Sequence, residues 1–294
     1  MRRERAAFAA GMMAPTLLWT AVVLIYPIWV TVRNSFYQVG AGLDPHPPFV
    51  GFGNYAALLS DGIFWHSVRV TAVFTAGNVA GSFGLGLLTA LVLHQRFRGR
   101  PLARAVLLLP WALPQVAAVV VWRWLLQAQY GAANYLLWRL HLIAAPSVPW
   151  LVRPNLGLYA VLATTVWWQY PIAATFLQAG IESIPLELFE AARMDGANAW
   201  HRFRHIIWPG LRHVRNILLL LLLFGSLGQV IIIWTLTGGG PARATQTLGI
   251  LVYTRAFSDF QFGSAAALGT IVLAISLLIG VAYYRLTLRS VTEV

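Results

Sequence analysis

The chain contains no cysteine and no lysine. Without cysteine there are no disulfides, no thiolate nucleophiles and no thiolate metal sites. Without lysine all 21 basic residues are arginine. That removes the phosphate-binding lysine of a P-loop, Schiff-base chemistry and any Ser-Lys dyad. Any ATP hydrolysis that drives this protein therefore belongs to another chain. Charge is scarce as well: 10% of residues are charged, against about 25% in a soluble globular domain. What fills the space is apolar, 59% of the 294 residues, with a mean hydropathy of +0.68. These figures place the chain among membrane proteins. The net charge of +12 does not argue for nucleic acid, because the arginines form short runs between long apolar stretches rather than one patch.

Six stretches lack formal charge and are long enough to cross a hydrocarbon core of about 30 Å. They are Ala6–Val32, Val70–Leu93, Ala105–Trp122, Pro154–Ile181, Asn216–Pro241 and Phe262–Tyr284. Only helices and closed barrels span lipid, and these runs do not alternate as barrel strands do. The expected fold is all-α, a polytopic membrane protein with six transmembrane helices, in one domain over residues 1–294. Ala6–Val32 is 27 uncharged residues, longer than the apolar region of a signal peptide, and reads as a retained first span. Pro27, Pro110, Pro114 and Pro171 are expected to kink helices or mark their ends.

Charge sets the orientation. With the N-terminus inside, 14 of 21 arginines fall in inside segments: Arg2, Arg3, Arg5, Arg96, Arg98, Arg100, Arg104, Arg193, Arg202, Arg204, Arg212, Arg215, Arg285 and Arg289. The positive-inside rule then puts both termini of this multi-pass protein in the cytoplasm. Outside lie residues 33–69, residues 123–153 with an amphipathic stretch Ala132–Leu142, and residues 242–261 after the turn Gly238-Gly239-Gly240-Pro241. All nine acids, Asp44 and Glu293 among them, lie outside the six spans. That counts against a gradient-driven secondary carrier, which needs ionisable groups or broken helices at mid-membrane, and against an intramembrane enzyme.

The inside segment from about Glu182 to Arg215 is too long for a simple connection between helices. Pro185 suits a first helical turn. Leu186, Phe189 and Ala192 recur at helical spacing, and Asp195-Gly196 then breaks the helix with Gly196 as a left-handed C-cap. Asn198 caps a second helix through about His205, ended by Pro209-Gly210. The segment also resembles a known family. Glu190-Ala191-Ala192, three residues, Gly196, nine residues, then Ile206-Ile207-Trp208-Pro209 is similar to the EAA loop of ABC importer membrane subunits. Trp208 stands where leucine is usual. The resemblance implies that Glu190, Ala191, Ala192, Asp195, Gly196, Ile206 and Pro209 belong to a coupling helix docked on a cytoplasmic ATPase. It also implies that ATP and Mg are bound by that partner, with no cofactor on this chain.

A second resemblance, over about residues 100–285, is to carbohydrate importer subunits of the maltose and glycerol-3-phosphate type. It rests on Tyr170-Pro171, Ile184-Pro185, the run Thr235 to Pro241, Thr245, Tyr253, Ala256-Phe257 and Phe262-Gly263. It implies a sugar or oligosaccharide as cargo, with glycerol-3-phosphate or another polar solute as the alternative. Carried over by position, it marks Thr165, Trp168, Gln169, Ile172, Gly225, Ser226 and Gln229 as substrate-binding candidates. Read unaided, Gln169 and Gln229 are amides in apolar spans. Such groups either meet a polar cargo or bond a neighbouring helix; Trp168 offers a flat face to sugar C–H groups or packs against lipid. The implied partners are a second homologous permease, most often a different chain, two ATPase subunits and an extracytoplasmic solute-binding protein, besides membrane lipid. His201 and His205 have metal-ligand spacing but no third ligand, so no metal site is expected. Gly81, Gly84 and Gly86 read as close-packing positions.

Overall fold

The computed structural model describes residues 2–42, 45–95 and 97–285, and the side chains from residue 11 onward. Of the residues named above, Asp44, Arg96, Arg289 and Glu293 lie outside the described ones. The described chain is helical apart from loops and one isolated antiparallel bridge, Tyr37 with Phe49. The all-α expectation is borne out.

Three helices are individually long and apolar enough to cross a membrane: residues Gly11–Asn34, Gly62–His94 and Phe262–Tyr283. The first comprises α1 (Arg2–Thr20), a π-helical turn (Ala21–Ile25) and α2 (Tyr26–Asn34). After α3 (Gly53–Ser60) comes α4 (Gly62–His94), 33 residues and about 50 Å long. Then follow α5 (Arg100–Ala112), α6 (Gln115–Leu125), α7 (Ala132–Arg139) and α8 (Pro154–Glu182). The chain continues through α9 (Leu186–Met194), α10 (Ala199–Arg202), a second π turn (Phe203–Ile207) and α11 (Trp208–Gly210). It ends with α12 (Arg212–Leu227), α13 (Ile231–Thr237), α14 (Leu248–Phe257) and α15 (Phe262–Tyr283).

Two of the continuous stretches are broken. The third turns by 97° between α5 and α6, at Leu113-Pro114, where α5 stops with an extended residue and proline opens the next helix. The fifth is interrupted at Gly228–Val230 and resumes as α13. The first break falls at Pro114, as its proline leads one to expect; the second does not show in the run of uncharged residues, because apolarity measures length in lipid, not hydrogen bonding. Pro110 and Pro171 sit within α5 and α8.

Both π turns end two residues before a proline. Tyr26 N–H bonds the Ala21 carbonyl ahead of Pro27, and Trp208 N–H bonds the Phe203 carbonyl ahead of Pro209. A proline ring collides with the carbonyl four residues back in an α-helix, and the wider turn moves that carbonyl aside. The second loop helix ends where Pro209-Gly210 was expected to end it: helical backbone runs past His205 to Gly210, and the bend of 70° falls at Leu211.

The described residues form two compact units. The first takes in those up to Trp65 together with Leu251–Ile275. In it Phe36, Phe52 and Tyr55 form an aromatic cluster, the Tyr55 hydroxyl lies 2.6 Å from Ser35 Oγ, and Asn54 donates to the Ser35 and Tyr37 carbonyls. Arg255 pairs with Asp61 at 2.8 Å. The second unit takes in His66–Ile250 and the residues from Ser276 on.

The second unit has two apolar cores. One gathers Ala90, Ala173, Leu177, Ile181, Phe189, Ile207, Leu211, Leu218 and Leu222. The other gathers Phe74, Val119, Val161, Ile232, Ile233, Leu236 and Ile250. Helices α4 and α8 contribute to both. Gly81 and Gly86 let them approach: a Cβ there would lie 2.8 Å from Val166 and from Ala173 Cβ. Gly84 faces open space, so the close-packing expectation holds for two of the three. Between the cores, on the same two helices, lies a polar layer.

Candidate functional site

That layer is built from α4, α8 and α12. Asn78 sits near the middle of α4, fully buried. Its Nδ2 donates to Gln169 Oε1 and to Ser226 Oγ, both at 2.7 Å. Ser82, one turn on and also buried, donates to Asn78 Oδ1 at 3.3 Å. Ser226 in turn donates to the Leu222 carbonyl of its own helix at 2.7 Å. Gly225 is exposed beside it, and a Cβ at Gly225 would stand 3.2 Å from Gln169 Nε2. Buried polar groups in a spanning segment cost several kcal/mol unless bonded, and here they are bonded to one another.

Of the substrate-binding candidates, the structure brings Gln169, Gly225 and Ser226 together. Thr165 is fully buried and donates to the Val161 carbonyl within α8. Ile172 is half-buried on the following turn. Trp168 turns to the α5–α6 break, where its indole N–H bonds the Leu113 carbonyl at 3.0 Å, satisfying an acceptor freed at a helix end. Gln229 sits in the break before α13, 8% exposed, with Oε1 near Ile232 N at 3.4 Å. Asn78 and Ser82 were missed. The signal was present, an amide inside the apolar run Val70–Leu93, and it is the same signal that drew attention to Gln169.

The second feature is the loop between α8 and α12. Glu182 closes α8 and is held by Arg100 and Arg104 of α5 and by Gln178. Helix α9 follows a 71° bend. It buries Phe189 against the core and leaves Glu190, Ala191 and Asp195 exposed, with Ala192 half-buried. Gly196 takes φ +75°, the left-handed value at which a side chain is strained. Asn198 Oδ1 accepts from His201 N at 2.9 Å, capping α10. Ile206 is half-buried and Ile207 buried, so this end of the loop packs back on the core. Trp208, in the position where leucine is usual, lies beneath the Arg215 guanidinium at 4.3 Å and against Phe203. The His201 and His205 rings stack, and each Nδ1 is engaged by Asn198 or the His201 carbonyl. Large apolar side chains stand out on this charged segment: Leu186, Leu188, Met194 and Trp200 are 57%, 51%, 89% and 62% exposed.

The family model for the inner membrane component of binding-protein-dependent transport systems matches residues 82–291. The chain belongs to that family. It is a membrane-spanning permease subunit of an ABC importer. The permease is 35% identical to the trehalose/maltose transport system permease protein MalF of Thermococcus litoralis, over 90% of this chain and 89% of that one. It is 31% identical to the sulfoquinovosyl glycerol transport system permease protein SmoG of Agrobacterium fabrum, over 95% and 89%. Its fold is that of a chain in a bacterial ABC transporter that imports the acidic polysaccharide alginate. The TM-score is 0.81 at 20% identity, with 97% and 96% of the two chains covered. The matched region takes in the polar layer from Ser82 on and the whole loop between α8 and α12.

Proposed function

We propose that the permease forms half of the translocation path for a sugar or oligosaccharide and works as one transmembrane domain of six spans, with both termini in the cytoplasm. The loop between α8 and α12 is its coupling element. ATP and Mg are bound by two cytoplasmic ATPase subunits, the second half of the path is a homologous and different permease, and a solute-binding protein delivers cargo from outside.

The observation that carries the coupling role is the α9–Gly196–α10 hairpin. One side of it, Phe189 and Ile207, is anchored in the core, while its exposed side mixes Glu190 with bare Leu186, Leu188 and Met194. Apolar side chains exposed on a charged segment outside the lipid mark a protein contact. Ala191 and Ala192 allow close approach, and Glu190 supplies a charge for a partner cation. For the cargo, the support is the relatives named for trehalose/maltose and sulfoquinovosyl glycerol and the uncharged polar layer around Gln169, Gly225 and Ser226. Amides and hydroxyls bond sugar hydroxyls in both senses. Thr165, Trp168, Ile172 and Gln229 flank that layer.

The test is ATP hydrolysis by the reconstituted complex, with the binding protein loaded in turn with trehalose, maltose, sulfoquinovosyl glycerol and glycerol-3-phosphate. A sugar should stimulate hydrolysis, and Glu190→Ala and Gly196→Pro should abolish the stimulation while membrane insertion is kept. Stimulation by glycerol-3-phosphate alone would change the cargo. Loop variants that behave as wild type would overturn the coupling role.

A further inference from the structure

Asn78 lies on a helix that neither motif marks, yet its bonds decide which end of the Gln169 amide faces the path. Ser226 has one hydroxyl proton, and it is given to the Leu222 carbonyl at 2.7 Å. Toward Asn78, Ser226 Oγ is therefore an acceptor, and the atom of Asn78 facing it must carry protons. That fixes Nδ2 on this side, with Oδ1 turned to the Ser82 hydroxyl. Nδ2 also faces the Gln169 side chain at 2.7 Å. Gln169 must answer with its oxygen, since two NH₂ groups cannot bond each other. Its Nε2 is then the free end, turned toward Gly225 and without a hydrogen-bond partner among the described residues. The Cβ-less Gly225 leaves the room that Nε2 occupies.

We infer that Asn78 is a positioning residue that holds Gln169 with its NH₂ toward the translocation path, so that Gln169 recognises cargo as a hydrogen-bond donor to sugar hydroxyl and ring oxygens. This rests on the reading of the Gln169 layer as the cargo site. Without Asn78 the amide rotates freely, presents either end, and loses part of the bond energy to the ordering it must undergo on binding. One neutral hydrogen bond weakened in this way corresponds to a three- to tenfold change in half-saturation, of the order expected for such a bond.

The experiment uses the full complex in vesicles and the sugar of the panel above that wild type takes up fastest. Half-saturation and maximal rate are measured for Asn78→Leu, Gln169→Ala and the double variant, with Asn78→Ser as a smaller change that leaves room for water. Both single variants should raise half-saturation about three- to tenfold with the maximal rate nearly kept. The double variant should be no worse than Gln169→Ala, because Asn78 acts only through that amide. Multiplying effects, or an Asn78→Ser permease with wild-type half-saturation while Gln169→Ala is impaired, would overturn the positioning role alone. A Gln169→Ala permease that transports as wild type would overturn the cargo site and the inference with it.

Discussion

Gly84 and Gly86 are two residues apart on α4 and look alike in the sequence. A Cβ at Gly86 would meet Ala173 Cβ at 2.8 Å and the backbone of Ala173 and Ala174 near 3 Å, and backbone cannot step aside. A Cβ at Gly84 would meet nothing within 4 Å. Gly86→Ala is therefore expected to destabilise the permease by about 1–3 kcal/mol. Gly84→Ala should be neutral or slightly stabilising, since alanine is the better helix former by about 1 kcal/mol. Thermal unfolding of the detergent-solubilised complex, read by tryptophan fluorescence, measures both. Equal effects would mean that α4 and α8 are not packed at Gly86 as described. The same scale shows what a motif departure does: Trp208 lies beneath Arg215, a contact that leucine does not make and that is worth about 0.5–1 kcal/mol at an exposed site.

At the scale of elements, the loop between α8 and α12 is set by local rules, and its two turns can be tested separately. Gly196 is at φ +75° with open space where a Cβ would stand. Gly196→Ala thus costs only the backbone term, about 1–2 kcal/mol. Asn198→Ala removes the side-chain bond to His201 N and costs about 1 kcal/mol. Amide hydrogen exchange should report each: faster exchange of the α10 amides in both variants, with α8 and α12 unchanged. If exchange rises equally along α12, the hairpin is not the local unit its hydrogen bonds describe. The π turns have an equally local setting, each ending two residues before Pro27 or Pro209, whereas Pro171 sits within α8 without one.

For the whole molecule, the proposed orientation rests on the arginines, 14 of 21 on one side of the proposed membrane. The absence of cysteine makes the natural chain a clean background for checking it. Single variants Pro48→Cys, Arg98→Cys and Met194→Cys place a thiol at exposed positions. In intact cells a membrane-impermeant maleimide should label Pro48→Cys alone; in inverted vesicles it should label the other two. Labelling of Met194→Cys from outside would put the loop between α8 and α12 on the outer face and overturn the proposed orientation.

The sequence by itself determined the membrane class, the helical fold, the family and the shape of the hairpin between α8 and α12. These rest on composition or on bonds between near neighbours, such as Asn198 with His201, and near neighbours are legible in one dimension. Only the tertiary structure decided which polar groups inside the spans meet. Asn78 reaches Gln169 across 91 positions and Ser226 across 148. Helices α4 and α8 are apolar on every side, so hydrophobic periodicity does not tell which face is turned inward. Their rotation is fixed by Gly81 and Gly86 against α8, and Ser226 lies in the last turn of α12, two residues before the break at Gly228. Gln169 was conspicuous as an amide in lipid; its partner, and therefore the end of it left free, required the packed helices.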